Sequence, residues 1–184
     1  MDASGDPRTA LPAGLAAGAD SRRILLIYCA ARTKLETIQM ERTLIILKPD
    51  AVARGLIGTI IERFERKGFQ ILAIKLTRMN TATAQEHYAM HKGKPFYQGL
   101  IKFMTAGPVV LLVLQGDHAI EVVRKMMGAT FGFHAEPGTI RGDFGLSSSL
   151  NLIHGSDSPE AAQAEIERFF TPAELFDGSL RVPK

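Results

Sequence analysis

The run Asn151-Leu152-Ile153-His154-Gly155-Ser156-Asp157 concentrates more reactive side-chain types than any other part of the chain. Ser158-Pro159-Glu160 follows and opens a helix-forming run that contains Glu165. The spacing places one histidine on a tight Gly-Ser turn just ahead of a helix start. An imidazole with open approach and a carboxylate nearby can serve as a nucleophile or a general base. Glu165 is in the right region to accept a proton from one ring nitrogen. That bond would fix the tautomer, leave the other nitrogen as a lone pair, and stabilise imidazolium character during attack. Gly155 is expected to permit close approach of a ligand, and Ser156 and Asp157 add polar groups. On spacing alone, a hydrogen-bonded turn histidine and a solvated Glu165 remain the plainer alternatives.

Three cations can complete such a site. Lys48 ends an apolar run, where a strand end can aim a side chain into a cleft. Arg124 and Arg141 are the others, and Arg141 lies beside Thr139 and Asp143 in a glycine-rich stretch. A planar guanidinium matches phosphate oxygens, and positive charge stabilises charge moving onto a leaving diphosphate. Taken singly, each is as well read as a surface residue. Gly55-Leu56-Ile57-Gly58 lacks the Lys-Ser/Thr of a Walker A loop, so phosphates must be held by side chains. His87 and His91 are spaced i, i+4 but lack a third ligand, and they read as helix-surface residues, as do His118 and His134. Phe96 and Tyr97, beside Pro95, read first as packing residues.

Thr43–Leu47, ended by Lys48-Pro49, reads as a buried strand. Ile57, Ile60, Ile61 and Phe64 recur at helical spacing over Gly55–Lys67, and Gly68 stops that helix. Phe69–Leu76 alternates, with Phe69, Ile71, Ala73 and Lys75 on one side and Gln70, Leu72, Ile74 and Leu76 on the other. Thr81–Met90 and Phe96–Thr105 read as short helices, and Pro108–Leu114 as a central strand. Asp117 is placed to cap a helix running to Met127 and ended by Gly128. Gly128–Ser149 has no period and reads as a long functional loop. Leu150–Ile153 reads as a last strand before the helix opened by Ser158-Pro159. Two βαβ halves predict an α/β (α+β) fold: a ferredoxin-like βαββαβ sandwich, an antiparallel sheet with helices on one face and added helices.

A chain of 184 residues, 46% of them hydrophobic, fits one domain with a single core. A net charge of +3 does not suggest the strong basic stripe of a nucleic-acid binder, though it suits anionic ligands. Cys29 is the one cysteine, so no internal disulfide and no cysteine-based zinc site can form. That composition fits the cytoplasm, and no apolar run approaches a membrane span. Residues 1–40 differ from the rest. Met1–Asp20 is rich in Ala, Gly, Pro and Asp and is expected to be disordered. Arg22-Arg23 followed by Ile24–Ala31 has the outline of a secretory signal, but it is short, far from the start and preceded by acidic residues. Residues 1–40 therefore read as a disordered or mis-started extension, and residues 41–184 as the working domain.

Lys48-Pro49-Asp50, Pro137-Gly138-Thr139-Ile140-Arg141 and the His154 run, in that order, resemble nucleoside diphosphate kinase. The resemblance extends from about Glu41 to about Glu174. It implies transfer of the γ-phosphate of a nucleoside triphosphate, mainly ATP, to a nucleoside diphosphate, maintaining (deoxy)nucleoside triphosphate pools. The mechanism it implies is ping-pong, through a phosphohistidine. By resemblance His154 is the nucleophile, phosphorylated on Nδ1, and Glu165 holds its Nε2. Lys48 and Tyr88 lie near the transferred group, and Arg124, Thr130 and Arg141 bind phosphates. Asn151 contacts the ribose, Phe96 stacks on the base, and Ser156 supports the histidine and its carboxylate. Mg2+ is expected to arrive on the nucleotide phosphates, with no metal ligands from the protein. Partners are nucleoside di- and triphosphates and further copies of the chain, as a homotetramer or homohexamer. Two departures stand out: Phe131-Gly132-Phe133 after Thr130, where many members carry Asn-Pro or Asp-Pro, and Ser147-Ser148-Ser149.

A ferredoxin-like nucleic-acid module is the main alternative from another class. It requires paired aromatics exposed on strands, and the apolar strands here offer none. Such a module would also leave the histidine motif without a purpose, while a purely scaffolding subunit predicts that His154→Ala leaves function intact.

Overall fold

The computed structural model describes residues 40–147 and 149–176, so expectations about residues 1–39 lie outside the described residues. Among the described residues four strands form one sheet: β1 (Met40–Leu47), β2 (Gln70–Arg78), β3 (Pro108–Asp117) and β4 (Ile153–Gly155). Their order is β2-β3-β1-β4, and each neighbouring pair is antiparallel. The apolar runs of β1 and β3 take the middle, where both faces are covered. The helices are α1 (Pro49–Ala53), α2 (Ile57–Lys67), α3 (Thr81–His87), α4 (Tyr97–Thr105), α5 (Ala119–Met127), α6 (Ile140–Phe144) and α7 (Pro159–Phe169). All described residues belong to one compact unit. No helix among them is long and apolar enough to cross a membrane.

Helices cover both faces of the sheet, not one as expected. Leu44 and Ile46 pack with Ala84 of α3, Ile101 and Met104 of α4 and Ile166 of α7. Ile45 and Leu47 pack with Ile60 and Phe64 of α2, Val123 and Met127 of α5 and Ile140 of α6. Successive strand residues point to opposite faces, so the unbroken run Leu44–Leu47 feeds two cores.

Several boundaries differ from expectation for local reasons. Pro49 starts the short helix α1 instead of only ending β1, since proline suits a first helical turn. Gly68 ends α2 in the left-handed region (φ 100°), as expected. Helix α3 stops at His87, and a 3-10 turn covers Ala89–His91. Asp117 ends β3 and caps nothing; His118 turns the chain with φ 47°, and the Glu41 carboxylate accepts the Ile120 N–H at 3.2 Å. The long loop holds a 3-10 turn at Gly132–His134 and α6, which is capped by Thr139. A bulge between Ile71 and Ala73 breaks the alternation of β2. Leu72 and Ala73 are therefore both buried, while Ile74 and Leu76 stand exposed on this edge strand.

Candidate active site

His154 lies within β4, opposite Ile46 of β1, so it is carried by a strand rather than by the expected turn. The chain enters that strand through a strained residue. Leu152 has φ 67°, and the Ile153 N–H donates to the Asn151 carbonyl across it at 2.7 Å. A non-glycine residue with positive φ persists only where its surroundings hold it. Here the Lys48 N–H donates to the Leu152 carbonyl at 2.8 Å, and the Leu152 N–H donates to Asp50 Oδ2 at 3.1 Å. Gly155 serves packing rather than ligand approach. A Cβ there would lie 2.7 Å from Met127 Sδ and 3.4 Å from Ile45 and Val123.

Helix α7 brings the carboxylate. Ser158 caps its first turn by accepting the Ala161 N–H at 3.1 Å, with Pro159 at the first helical position. Glu165 then faces back toward β4, where His154 Nε2 lies 3.0 and 3.1 Å from its two oxygens. Ser156 Oγ donates to Glu165 Oε2 at 2.7 Å and accepts the Leu44 N–H at 3.2 Å. Burial by itself would raise the Glu165 carboxyl. The bond and charge of His154, the Ser156 hydroxyl and His87 outweigh it and hold the group below the ordinary glutamate value. A carboxylate on Nε2 leaves Nδ1 as the nitrogen with a lone pair.

The cations form a second layer. Lys48 is buried at the end of β1, and its Nζ donates to Asn151 Oδ1 at 2.6 Å. Burial and the nearby Arg141 lower its pKa to about 8, with Asp50 opposing. Asn151 Nδ2 donates to the carbonyl of the exposed Thr130 at 3.0 Å, so the Asn151 amide is engaged at both ends. Arg141 is buried too, and its guanidinium donates to the carbonyls of Asn151, Gly128 and Ile153 at 3.1, 2.8 and 2.8 Å. It ties the loop to β4 with part of its donor set and keeps further N–H groups for a ligand. Arg124, more exposed, donates to the Gly155 carbonyl at 3.3 Å. The cavity of about 850 Å³ beyond Arg124, lined also by His118, Lys125, His134 and Asp157, includes neither His154 nor Glu165 in its walls.

A row of rings leads outward from the histidine. The Tyr88 centroid is 6.3 Å from that of His154, His91 stacks on Tyr88 at 6.3 Å, and Phe96 meets His91 edge-on at 5.4 Å. Tyr88 is buried, its hydroxyl has no partner among the described residues, and burial raises its pKa. Phe96 is 53% exposed at the outer end of the row.

His87 corrects the sequence reading. It is not on the surface: its side chain is 1% exposed, its ring lies 4.8 Å from that of His154, and its Nδ1 is 3.9 Å from Glu165 Oε1. The i, i+4 pairing with His91 concealed this, because the two histidines face different surroundings. His87, His154 and Glu165 are the one set of ligating side chains, among the described residues, whose donor atoms all lie within 4.8 Å of one another. Glu165 is already engaged by His154 and Ser156, so the trio reads as a hydrogen-bonded His154–Glu165 pair with His87 packed alongside rather than as a metal centre.

The sequence description of the nucleoside diphosphate kinase family matches residues 41–175. A nucleoside diphosphate kinase of Staphylothermus marinus is 56% identical over 137 residues, covering 74% of this chain and 97% of that protein. One from Methanocaldococcus jannaschii is also 56% identical over 137 residues, covering 74% and 98%. Among solved structures, the Halobacterium salinarum nucleoside diphosphate kinase in complex with CDP is similar, with a TM-score of 0.73 and 49% identity. That match covers 74% of this chain and 91% of the other. The Aquifex aeolicus nucleoside diphosphate kinase gives a TM-score of 0.73 at 46% identity, covering 74% and 99%. Sequence and fold agree, and the chain belongs to the nucleoside diphosphate kinase family.

Proposed function

We propose that this protein transfers the γ-phosphate of a nucleoside triphosphate to a nucleoside diphosphate through a phosphohistidine on His154. The observation that carries the proposal is the Glu165 carboxylate on His154 Nε2 at 3.0 Å, which leaves Nδ1 for attack. In the first half-reaction a bond forms between Nδ1 and the γ-phosphorus. The bond to the bridging oxygen breaks, and its electron pair leaves with the diphosphate. Glu165 stabilises the imidazolium character that develops, and Ser156 holds Glu165. Lys48, Arg124, Thr130 and Arg141 hold the phosphates and neutralise charge on the leaving group, with Tyr88 beside the transferred phosphoryl. Asn151 positions Lys48 and meets the ribose. Phe96 offers an exposed face to the base, and stacking accepts any base. A second nucleoside diphosphate then reverses the step, so one site serves both substrates.

Phosphotransferases of this family use divalent metal ions. We assign Mg2+, carried by the nucleotide. Among the described residues the site gathers cations and leaves no set of free carboxylates for a metal cage, which fits a metal that arrives on phosphate oxygens. The metal neutralises phosphate charge when present. The exposed Ile74 and Leu76 on the long edge strand β2 support assembly with further copies, as a homotetramer or homohexamer. A cytoplasmic location belongs to the same reading and is supported by the lone Cys29.

The test is incubation with Mg2+ and γ-labelled ATP, followed by a search for acid-labile, base-stable label that chases onto GDP. Label that forms, chases and is lost in His154→Ala is the expected result. No label on a folded protein that still binds nucleotide would overturn the enzyme reading.

A further inference from the structure

His87 has no role in the chemistry described so far, yet its placement is demanding. Both ring nitrogens are buried without a hydrogen-bond partner among the described residues. The ring meets Tyr88, His154 and Phe169 edge-on at 4.5, 4.8 and 5.3 Å. A phenyl ring would fill such a space without two unsatisfied polar atoms, so packing alone does not account for an imidazole here. The atom that distinguishes it is Nδ1, which is 3.9 Å from Glu165 Oε1. A lone pair aimed at a carboxylate is repelled, whereas an N–H there is attracted.

We propose that His87 is a positioning residue for the phosphohistidine cycle. Its Nδ1–H points at Glu165 Oε1 and its ring braces that of His154, keeping the carboxylate ionised and aimed at Nε2 while the phosphoryl group enters and leaves Nδ1 of His154. The assignment rests on the phosphohistidine reading and adds a longer attraction, at 3.9 Å, to a carboxylate already hydrogen-bonded by His154 and Ser156. The charged and titratable groups around His87 are His154 on β4, Glu165 and Arg168 on α7, Lys48 beyond β1 and Tyr88 after α3. Burial, then His154, lowers the His87 pKa to about 3; Glu165 opposes, and Arg168 and Lys48 add to the fall. The ring therefore stays neutral at working pH and offers a dipole to Glu165 without a competing cation.

The experiment uses the full chain, with ATP as phosphoryl donor. Nitrogen-15 NMR of histidine-labelled wild type reads the tautomer directly: Nδ1–H on His87 is expected, and Nε2–H overturns the proposal whatever the variants do. Rapid-quench measurement of phosphoenzyme formation then compares wild type, His87→Phe and His87→Asn. His87→Phe should slow the step about two- to threefold, the low end for a hydrogen bond, because 3.9 Å allows attraction without a formed bond. KM for ATP should stay within about twofold, since His87 does not touch the nucleotide. The acid limb of the pH profile should move to higher pH, because a carboxylate that loses a donor protonates more readily. His87→Asn, which returns an N–H near the same place, should recover both rate and limb. A His87→Phe with the wild-type rate and limb, or a His87→Asn no faster than His87→Phe, overturns the proposal. Wild type that takes no label at all is a failure of the phosphohistidine reading instead.

Discussion

Removing the Glu165 carboxylate should slow phosphoryl transfer without weakening nucleotide binding. In Glu165→Ala the His154 Nε2–H loses an acceptor at 3.0 Å, and the Ser156 hydroxyl loses one at 2.7 Å. The ring of His154 is 23% exposed and can turn to water, but Ser156, 1% exposed, cannot. The bond to Nε2 strengthens as the imidazole gains positive character during attack, so its loss falls on the transition state. A hydrogen bond to a charged group is worth about 1.5–3 kcal/mol, which is about 10- to 150-fold in rate. Glu165→Gln keeps one acceptor oxygen and loses the charge. Neutral bonds are roughly half as strong, so the fall should be about 3- to 10-fold. Rapid-quench formation of phosphoenzyme from labelled ATP gives the rate, and steady-state kinetics give KM. If Glu165→Ala keeps its rate within about twofold, or raises KM with kcat unchanged, the carboxylate is not stabilising the reacting ring and the reasoning fails.

Lys48 loses its charge as pH rises through about 8, so kcat/KM for ATP should fall above that pH, and Lys48→Arg should carry the fall to more alkaline pH; a flat profile to pH 10 counts against the assignment. Because the folded value lies below the ordinary 10.5, the unfolded chain holds the extra proton between the two values. The nucleotide-free protein should therefore gain stability across that window as pH rises, which urea melts at both ends would read. Gly155→Ala forces a methyl group against Met127 and should cost about 1–3 kcal/mol, or about 2–12 °C in Tm, with Gly155→Ala/Met127→Ala less damaged than the single changes sum to. Replacing Ile74 and Leu76 of β2 together by lysine should shift the mass seen by light scattering toward the monomer, and an unchanged mass would place the subunit contact elsewhere.

The parts of this protein that were legible in sequence are those whose cause is local. Gly68 and Gly128 end helices, Ser158-Pro159 opens α7, and the apolar run of β3 takes the sheet interior, each through its own backbone and side-chain preferences. Misreadings arose where distant chain decides. Asp117 looked like a cap because a carboxylate before a helix usually is one, but Glu41, 79 residues away from Ile120, reaches that helix first. The helices on both sides of the sheet are implicit in the sequence: Leu44–Leu47 has no polar residue to face water, so each face requires a cover. His87 was beyond local reasoning. Its burial depends on His154 and Phe169, 67 and 82 positions further along the chain, and a histidine pair at i, i+4 carries no sign that such partners will arrive. The same holds for Arg141, whose guanidinium reads as a phosphate binder from its neighbours yet also ties the Gly128 and Ile153 backbones together. Sequence motifs therefore expose candidate reactive groups, which stand out by side-chain type, better than the groups that hold them, which depend on whichever distant residues the fold brings near.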